Sequence, residues 1–205
     1  MKLSALLEEC LRGPYTHVEN GGDFRFARHR GELWLYFPHS DGAVDWKNNL
    51  DFPAKAYTQG DAPHLFVHRG FLRVWESVKP HAVSLIADAR TKSITCVGYS
   101  HGAALALLCY DFACRIRPQL TPHTEGYGFG SPRVLWGMRT PAVQERFARF
   151  TVIRNLDDIV THLPPAALGY FHAGNLLEIG EKENYSRVDA HRAENILAQL
   201  KKIEG

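Results

Sequence analysis

Ser100 stands at the centre of Gly98-Tyr99-Ser100-His101-Gly102. The apolar run Ile94-Thr95-Cys96-Val97 precedes it, and Ala103-Ala104-Leu105-Ala106-Leu107-Leu108 follows. The pattern is strand, tight turn and buried helix, with a serine at the apex and glycines two residues to either side. A serine in so sharp a turn presses its backbone on the neighbouring chain, and only residues without a Cβ let strand and helix pass that closely. The turn exposes the hydroxyl and sets the His101 N–H at the positive end of a helix. The chemistry expected is that of a nucleophile beside half of an oxyanion hole.

A serine hydroxyl attacks poorly unless a base takes its proton, and the base needs an acid to orient it. Where a serine leads the order, the acid follows at the carboxyl end of a strand and the histidine comes last. The run Phe150-Thr151-Val152-Ile153-Arg154-Asn155-Leu156-Asp157-Asp158 supplies two adjacent carboxylates just past a β-branched stretch. Only His162, His172 and His191 come after it. His162 is too near Asp158 in sequence to be carried back to the serine. His172, in Gly169-Tyr170-Phe171-His172, has an aromatic setting that favours packing. His191, at the start of the last helix, where a loop can bring it over the sheet edge, is preferred as the base.

Elements that would position these groups can be read from periodicity. Met1 to Cys10 reads as a short amphipathic helix that stops near Gly13-Pro14. Phe24–Phe26 and Leu33–Phe37 form a hairpin around Arg30-Gly31, with Arg25, Arg28 and Arg30 on its solvated face. From Gly70, the spacing of Phe71, Leu72, Val74, Trp75, Val78, Val83, Leu85 and Ile86 predicts a helix, bent at Pro80. Strands are expected at Ile94–Val97, Gly126–Phe129, Phe150–Ile153 and, at an edge, Leu176–Ile179. A last helix begins near Asp189 as N-cap, with Ala190, Ala193, Ile196, Leu197 and Leu200 on one side. Alternating strands and helices make an α/β fold, its sheet parallel in the centre.

Several stretches, in one order, resemble the class 3 lipases, a fungal-type lipase family that also includes plant and bacterial esterases and phospholipases. They are Asp45-Trp46 to Phe52, Val67-His68-Arg69-Gly70-Phe71, Val97 to Ala104, Gly128-Phe129-Gly130-Ser131-Pro132-Arg133-Val134, Asn155 to Pro165, Gly169-Tyr170 and Asp189-Ala190-His191. The stretches run from about residue 33 to 192, and the resemblance implies an α/β-hydrolase fold with a mostly parallel central sheet flanked by helices; the length of the chain suits a single domain, residues 1–205. It implies Ser100 as nucleophile, Asp158 rather than Asp157 as acid, and His191 as base. It also implies Ser40 as the second oxyanion donor beside His101. Pro38-His39 replaces the Arg-Gly that usually precedes that donor, and His101 replaces a leucine.

The activity implied is cleavage of carboxylic esters, acylglycerol or phospholipid, through an acyl-serine. Short soluble acyl esters, thioesters or amides would suit the same groups, and a non-catalytic binding module is the reading from another class. Residues 41–50, near the family's lid, have a small apolar face around Ala43, Val44 and Trp46. The stretch from Asp158 to His191 is compact, so an open site for shorter chains or a phospholipid head group is expected.

The remaining signals bound the partners. A net charge of +2 with scattered basic residues argues against nucleic acid. Gly126-Tyr127-Gly128-Phe129-Gly130 lacks the helix a dinucleotide site needs, so close packing is expected there. His64 and His68 form a lone pair without a third ligand, and Trp34, Trp46, Trp75 and Trp136 read as core. No metal or organic cofactor is implied. The partners expected are a small-molecule ester or lipid, with transient contact at a lipid interface. Four cysteines without framework spacing read as thiols in a reducing compartment. With neither a signal-peptide pattern nor a membrane-length apolar run, a cytoplasmic location is expected.

Overall fold

A computed structural model describes residues 1–18, 22–39, 51–57, 65–156, 158–180 and 186–205. The described chain runs α1 (Leu3–Cys10), β1 (Thr16–Val18), β2 (Gly22–His29), β3 (Glu32–Phe37), β4 (Ala54–Tyr57), β5 (Leu65–His68), α2 (Arg69–Ala87), β6 (Ser93–Tyr99) and α3 (His101–Ile116). It continues through β7 (Thr124–Phe129), β8 (Leu135–Trp136), α4 (Pro141–Arg146), β9 (Phe150–Asn155), β10 (Tyr170–Phe171), β11 (Asn175–Ile179) and α5 (Ala193–Glu204), with short 3-10 turns between.

Among the described residues, seven strands form the main sheet in the order β1-β2-β3-β6-β7-β9-β11. β1, β2 and β3 pair antiparallel, while β3, β6, β7, β9 and β11 run parallel. The β2–β3 hairpin turns on Arg30 (φ 48°) and Gly31 (φ 90°), the two positive φ values that a two-residue turn between twisted strands requires.

Both faces of this sheet are covered, so its central strands alternate between two apolar surroundings rather than between core and water. Leu33, Leu35, Phe37, Ile94, Cys96, Phe150 and Val152 share one core with α2 and α3. Tyr36, Val97, Tyr99, Phe129 and Ile153 meet α1 and α5 on the other. Every residue of α3 from His101 to Ala113 is buried, as a helix apolar on all sides must be. A second, antiparallel sheet, β10-β8-β5-β4, packs one face onto the α2–α3 core.

Some expectations need correction. Helix α2 continues through Pro80, but Val83 lies on its exposed side, because the buried stripe is set by Val74, Val78, Ala82 and Ile86. The guanidinium groups of Arg25 and Arg28 are not on a solvated face. They are largely buried, paired with Glu9 and Asp88, and Arg25 lies over the Tyr36 ring. Trp75 is core, but Trp34 is only half-buried and Trp136 is exposed. Asp189 does not cap the last helix, which starts after Arg192; it sits in the preceding turn and its carboxylate takes the Ser186 hydroxyl.

Candidate active site

Strand β6 delivers Ser100 to the carboxyl edge of the main sheet. Its φ of 57° and ψ of −125° place it in a conformation an L-residue rarely adopts, and only Arg30 shares its positive φ among the described non-glycine residues. The surrounding packing holds it there. Ser100 N–H donates to the Phe129 carbonyl at 2.9 Å, locking the turn to β7. A Cβ on Gly98 would collide with the Gly102 backbone, and one on Gly102 with the Phe37 and Pro38 carbonyls. Both glycines are therefore required by close approach, as the sequence pattern implies.

The acid and the histidine reach the serine from the far end of the chain. Strand β9 ends at Asn155, and the chain turns at once, Asp158 N–H donating to the Asn155 carbonyl at 3.0 Å. Asp158 is fully buried. Its Oδ1 accepts from the Val160 N–H at 2.8 Å, leaving Oδ2 aimed at His191 Nδ1, 2.7 Å away. On the other side of the ring, His191 Nε2 lies 2.7 Å from Ser100 Oγ. His191 occupies the end of a one-turn 3-10 helix, Asp189–His191. That turn is tied down by Asn155 Nδ2 donating to the Ala190 carbonyl and by Asn195 Nδ2 donating to the Asp189 carbonyl.

Three further residues complete the site: Tyr99 and Asn155, which sequence reasoning missed, and Gly130, which lies in the glycine stretch expected to pack closely. The Tyr99 hydroxyl donates to the His191 carbonyl at 2.7 Å, and its ring lies nearly parallel to the imidazole, centroids 5.4 Å apart at 19°. It sits inside the serine motif, but nothing in the motif reveals what its ring meets 92 residues later. Asn155 had only its place in the acid stretch as a signal. Gly130, at φ 56°, passes beneath the pair: a Cβ there would lie 2.9 Å from His191 Cε1 and 3.0 Å from Asp158 Oδ2.

Other histidines are placed elsewhere. His172 Nε2 donates to the Thr161 carbonyl at 2.9 Å, and burial pushes its pKa down to about 4. His162 stays on the loop beyond Asp158, its pKa lowered first by burial and then by Arg154, Arg133 and Arg187. His68 is buried, and its Nδ1 accepts the Gly70 and Phe71 N–H groups, which caps α2. His101 begins α3 with its backbone N–H in the first turn, while its buried ring stands edge-on to Phe71 at 5.2 Å. Burial, and then His39 and His68, push its pKa down to about 3, so the ring beside Ser100 is neutral at ordinary pH. Ser40, the lid-like segment around Trp46, Asp157 and His64 lie outside the described residues.

A carboxylate, an imidazole and a hydroxyl in one line of hydrogen bonds can deprotonate the hydroxyl as it attacks an electrophilic carbon. Residues 35–168 match the family model described as Lipase (class 3). A lipase of Rhizomucor miehei is 30% identical over 155 residues, covering 69% of this chain and 40% of that protein. A secreted mono- and diacylglycerol lipase of Fusarium solani is 30% identical over 164 residues, covering 78% and 45%. A phospholipase A1-II of Oryza sativa subsp. indica is 32% identical over 163 residues, covering 66% and 40%. The chain thus spans less than half the length of these relatives. Among solved structures, the triacylglyceride lipase of Rhizomucor miehei superposes with a TM-score of 0.68 at 26% identity, covering 82% of this chain and 66% of that one. A fungal lipase–inhibitor complex gives 0.69 at 26% identity, covering 83% and 66%.

Proposed function

The chain belongs to the class 3 lipase family, and from that premise we propose that it hydrolyses carboxylic esters of lipids through an acyl-serine on Ser100. One observation carries the reading: His191 bridges Ser100 Oγ and Asp158 Oδ2 with 2.7 Å on each side. In the first half-reaction, Ser100 Oγ attacks the ester carbonyl carbon while Nε2 takes its proton. The C–O bond to the alcohol then breaks, and Nε2 returns the proton to the leaving oxygen. In the second, a water takes the alcohol's place, giving a proton to Nε2 and its oxygen to the acyl carbon; the bond from that carbon to Oγ then breaks, Nε2 returns the proton to Oγ, and the carboxylic acid leaves. Asp158 fixes the imidazole tautomer and stabilises its cation. The oxyanion is held by the His101 N–H and, from the family resemblance, the Ser40 N–H, each donor contributing on the order of 3 kcal/mol.

The names of the relatives, which point to mono- and diacylglycerols and to phospholipids, support a lipid ester as substrate. The unpaired thiols of Cys10, Cys96, Cys109 and Cys114 support a reducing compartment, taken here to be the cytoplasm.

A fluorophosphonate probe tests the nucleophile. Labelling of the wild type but not of Ser100→Ala is expected, and an unlabelled, folded wild type would sink the enzyme reading. A chain-length series of p-nitrophenyl esters, run beside phospholipid and triglyceride with Ser100→Ala as blank, then tests the substrate. Faster cleavage of short soluble esters than of any lipid would replace the lipid reading with that of a soluble esterase.

A further inference from the structure

A parallel sheet is covered on both faces, and its face positions are apolar. The face under α1 and α5 departs from this near the amino ends of its strands. The two helices pack on Tyr36, Val97, Tyr99, Phe129 and Ile153. One row further down, cross-strand pairing sets Trp34, Thr95 and Glu125 side by side, with Glu32 and Ser93 paired beyond them. Tyr127 and, from α1, Leu6 border this row, and these residues line a groove of about 350 Å³, within the size range of small-ligand sites.

Some polar groups of the groove are fixed and others are open. Glu125 is held at both oxygens, accepting from Arg149 Nη2 at 2.6 Å and from the Tyr127 hydroxyl at 2.9 Å. Each oxygen keeps a lone pair for a further donor. Arg149 is itself anchored, its Nε donating to the Thr124 carbonyl at 3.2 Å. The indole N–H of the half-buried Trp34 and the hydroxyls of Ser93 and Thr95 make no hydrogen bond to any described residue.

We infer that this groove binds a neutral saccharide, with one pyranose ring lying on the Trp34 indole and its hydroxyls reaching Thr95, Ser93 and the Glu125–Arg149 pair. A pyranose has an apolar C–H face and a rim of hydroxyls, each both donor and acceptor. The indole matches the face. A carboxylate and a guanidinium set side by side match two adjacent hydroxyls, one donating and one accepting. Charge argues for a neutral occupant. Glu32 stands one row from Glu125 with no cation paired to it among the described residues, which disfavours phosphate or a carboxylate. Arg149 in the same groove disfavours a cation. The groove is also separate from the candidate active site, since the extended strand from Thr95 to Ser100 is roughly 17 Å long.

Saturation-transfer difference NMR on Ser100→Ala tests the groove apart from the serine. The probes are the methyl glycosides of glucose, galactose and mannose, and N-acetylglucosamine. Transfer to the C–H protons of at least one of them is expected, with an affinity equal to that of the wild type. Trp34→Ala should weaken that affinity about tenfold. Thr95→Val keeps the β-branched shape on the strand and removes only the hydroxyl. It should keep the parent's melting transition and weaken binding about threefold to tenfold, so the test holds even where Trp34→Ala does not fold. No transfer to any of the four sugars, or an unchanged affinity in folded Thr95→Val, would overturn the inference. So would tighter binding of tetramethylammonium or of inorganic phosphate than of any sugar, which would give the groove to an ion. Sugar binding by the wild type that Ser100→Ala loses would overturn it too, since the sugar would then sit at the serine.

Discussion

His191 is fastened at three points, its two ring nitrogens and its own carbonyl, and the third tie comes from the residue adjacent to the serine. Because Tyr99 and Ser100 are neighbours in the chain, the tyrosine hydroxyl on the His191 carbonyl sets how far the imidazole stands from Oγ. Tyr99→Phe keeps the ring and removes that tie, worth about 1 kcal/mol. It should lower kcat about threefold to tenfold with KM unchanged on a soluble ester. Asp158→Asn keeps the shape of the site but offers a donor amide in place of an acceptor oxygen. A fall in kcat of about 10⁴ is expected in steady-state kinetics, with the melting transition preserved. Asp189→Asn, one turn away on the same loop but paired with Ser186 and Arg192, should leave kcat within about twofold.

Glycine spacing along β6, α3 and β7 decides how closely these elements approach, and so whether the site exists. Gly98 and Gly102 let α3 cross the ends of β3 and β6, and Gly130 lets the chain leaving β7 run under His191 and Asp158. Gly130→Ala combines a positive φ, disfavoured by about 1–2 kcal/mol for an alanine, with a methyl group about 3 Å from both side chains. It should lower the melting temperature by a few degrees and kcat about 100-fold, read by fluorophosphonate labelling rate beside calorimetry. The last helix shows the other side of element-level reading. Its apolar stripe, Ile196 and Leu200, is legible from spacing. Its start is not, because an extra 3-10 turn carrying His191 lies between Asp189 and Ala193.

Across the whole molecule, burial of two neutral imidazoles links stability to pH. His101 and His172 have folded pKa values of about 3 and about 4, pushed below the ordinary 6.5 chiefly by burial. Both are depressed, so the unfolded chain binds more protons, and stability falls as pH drops from 6.5 towards 3. The urea midpoint should therefore fall steadily between pH 7 and pH 4. His101→Leu should flatten the slope by up to about 1 kcal/mol per pH unit over that range. The sequence by itself determined the local pieces: the glycine-flanked serine turn, the β2–β3 hairpin, the parallel strands and the order of serine, acid and histidine. Those follow from steric rules between near neighbours and from period-two or helical burial, which act over a few residues. Only the tertiary structure decided which histidine meets Ser100, since that depends on strand order carrying residue 191 back over β6. Only it revealed Tyr99 beneath the imidazole, the paired guanidinium groups of Arg25 and Arg28, and the exposed Trp136. An aromatic side chain is apolar whether it faces core or water, and which it faces is fixed by the elements that happen to cover its sheet.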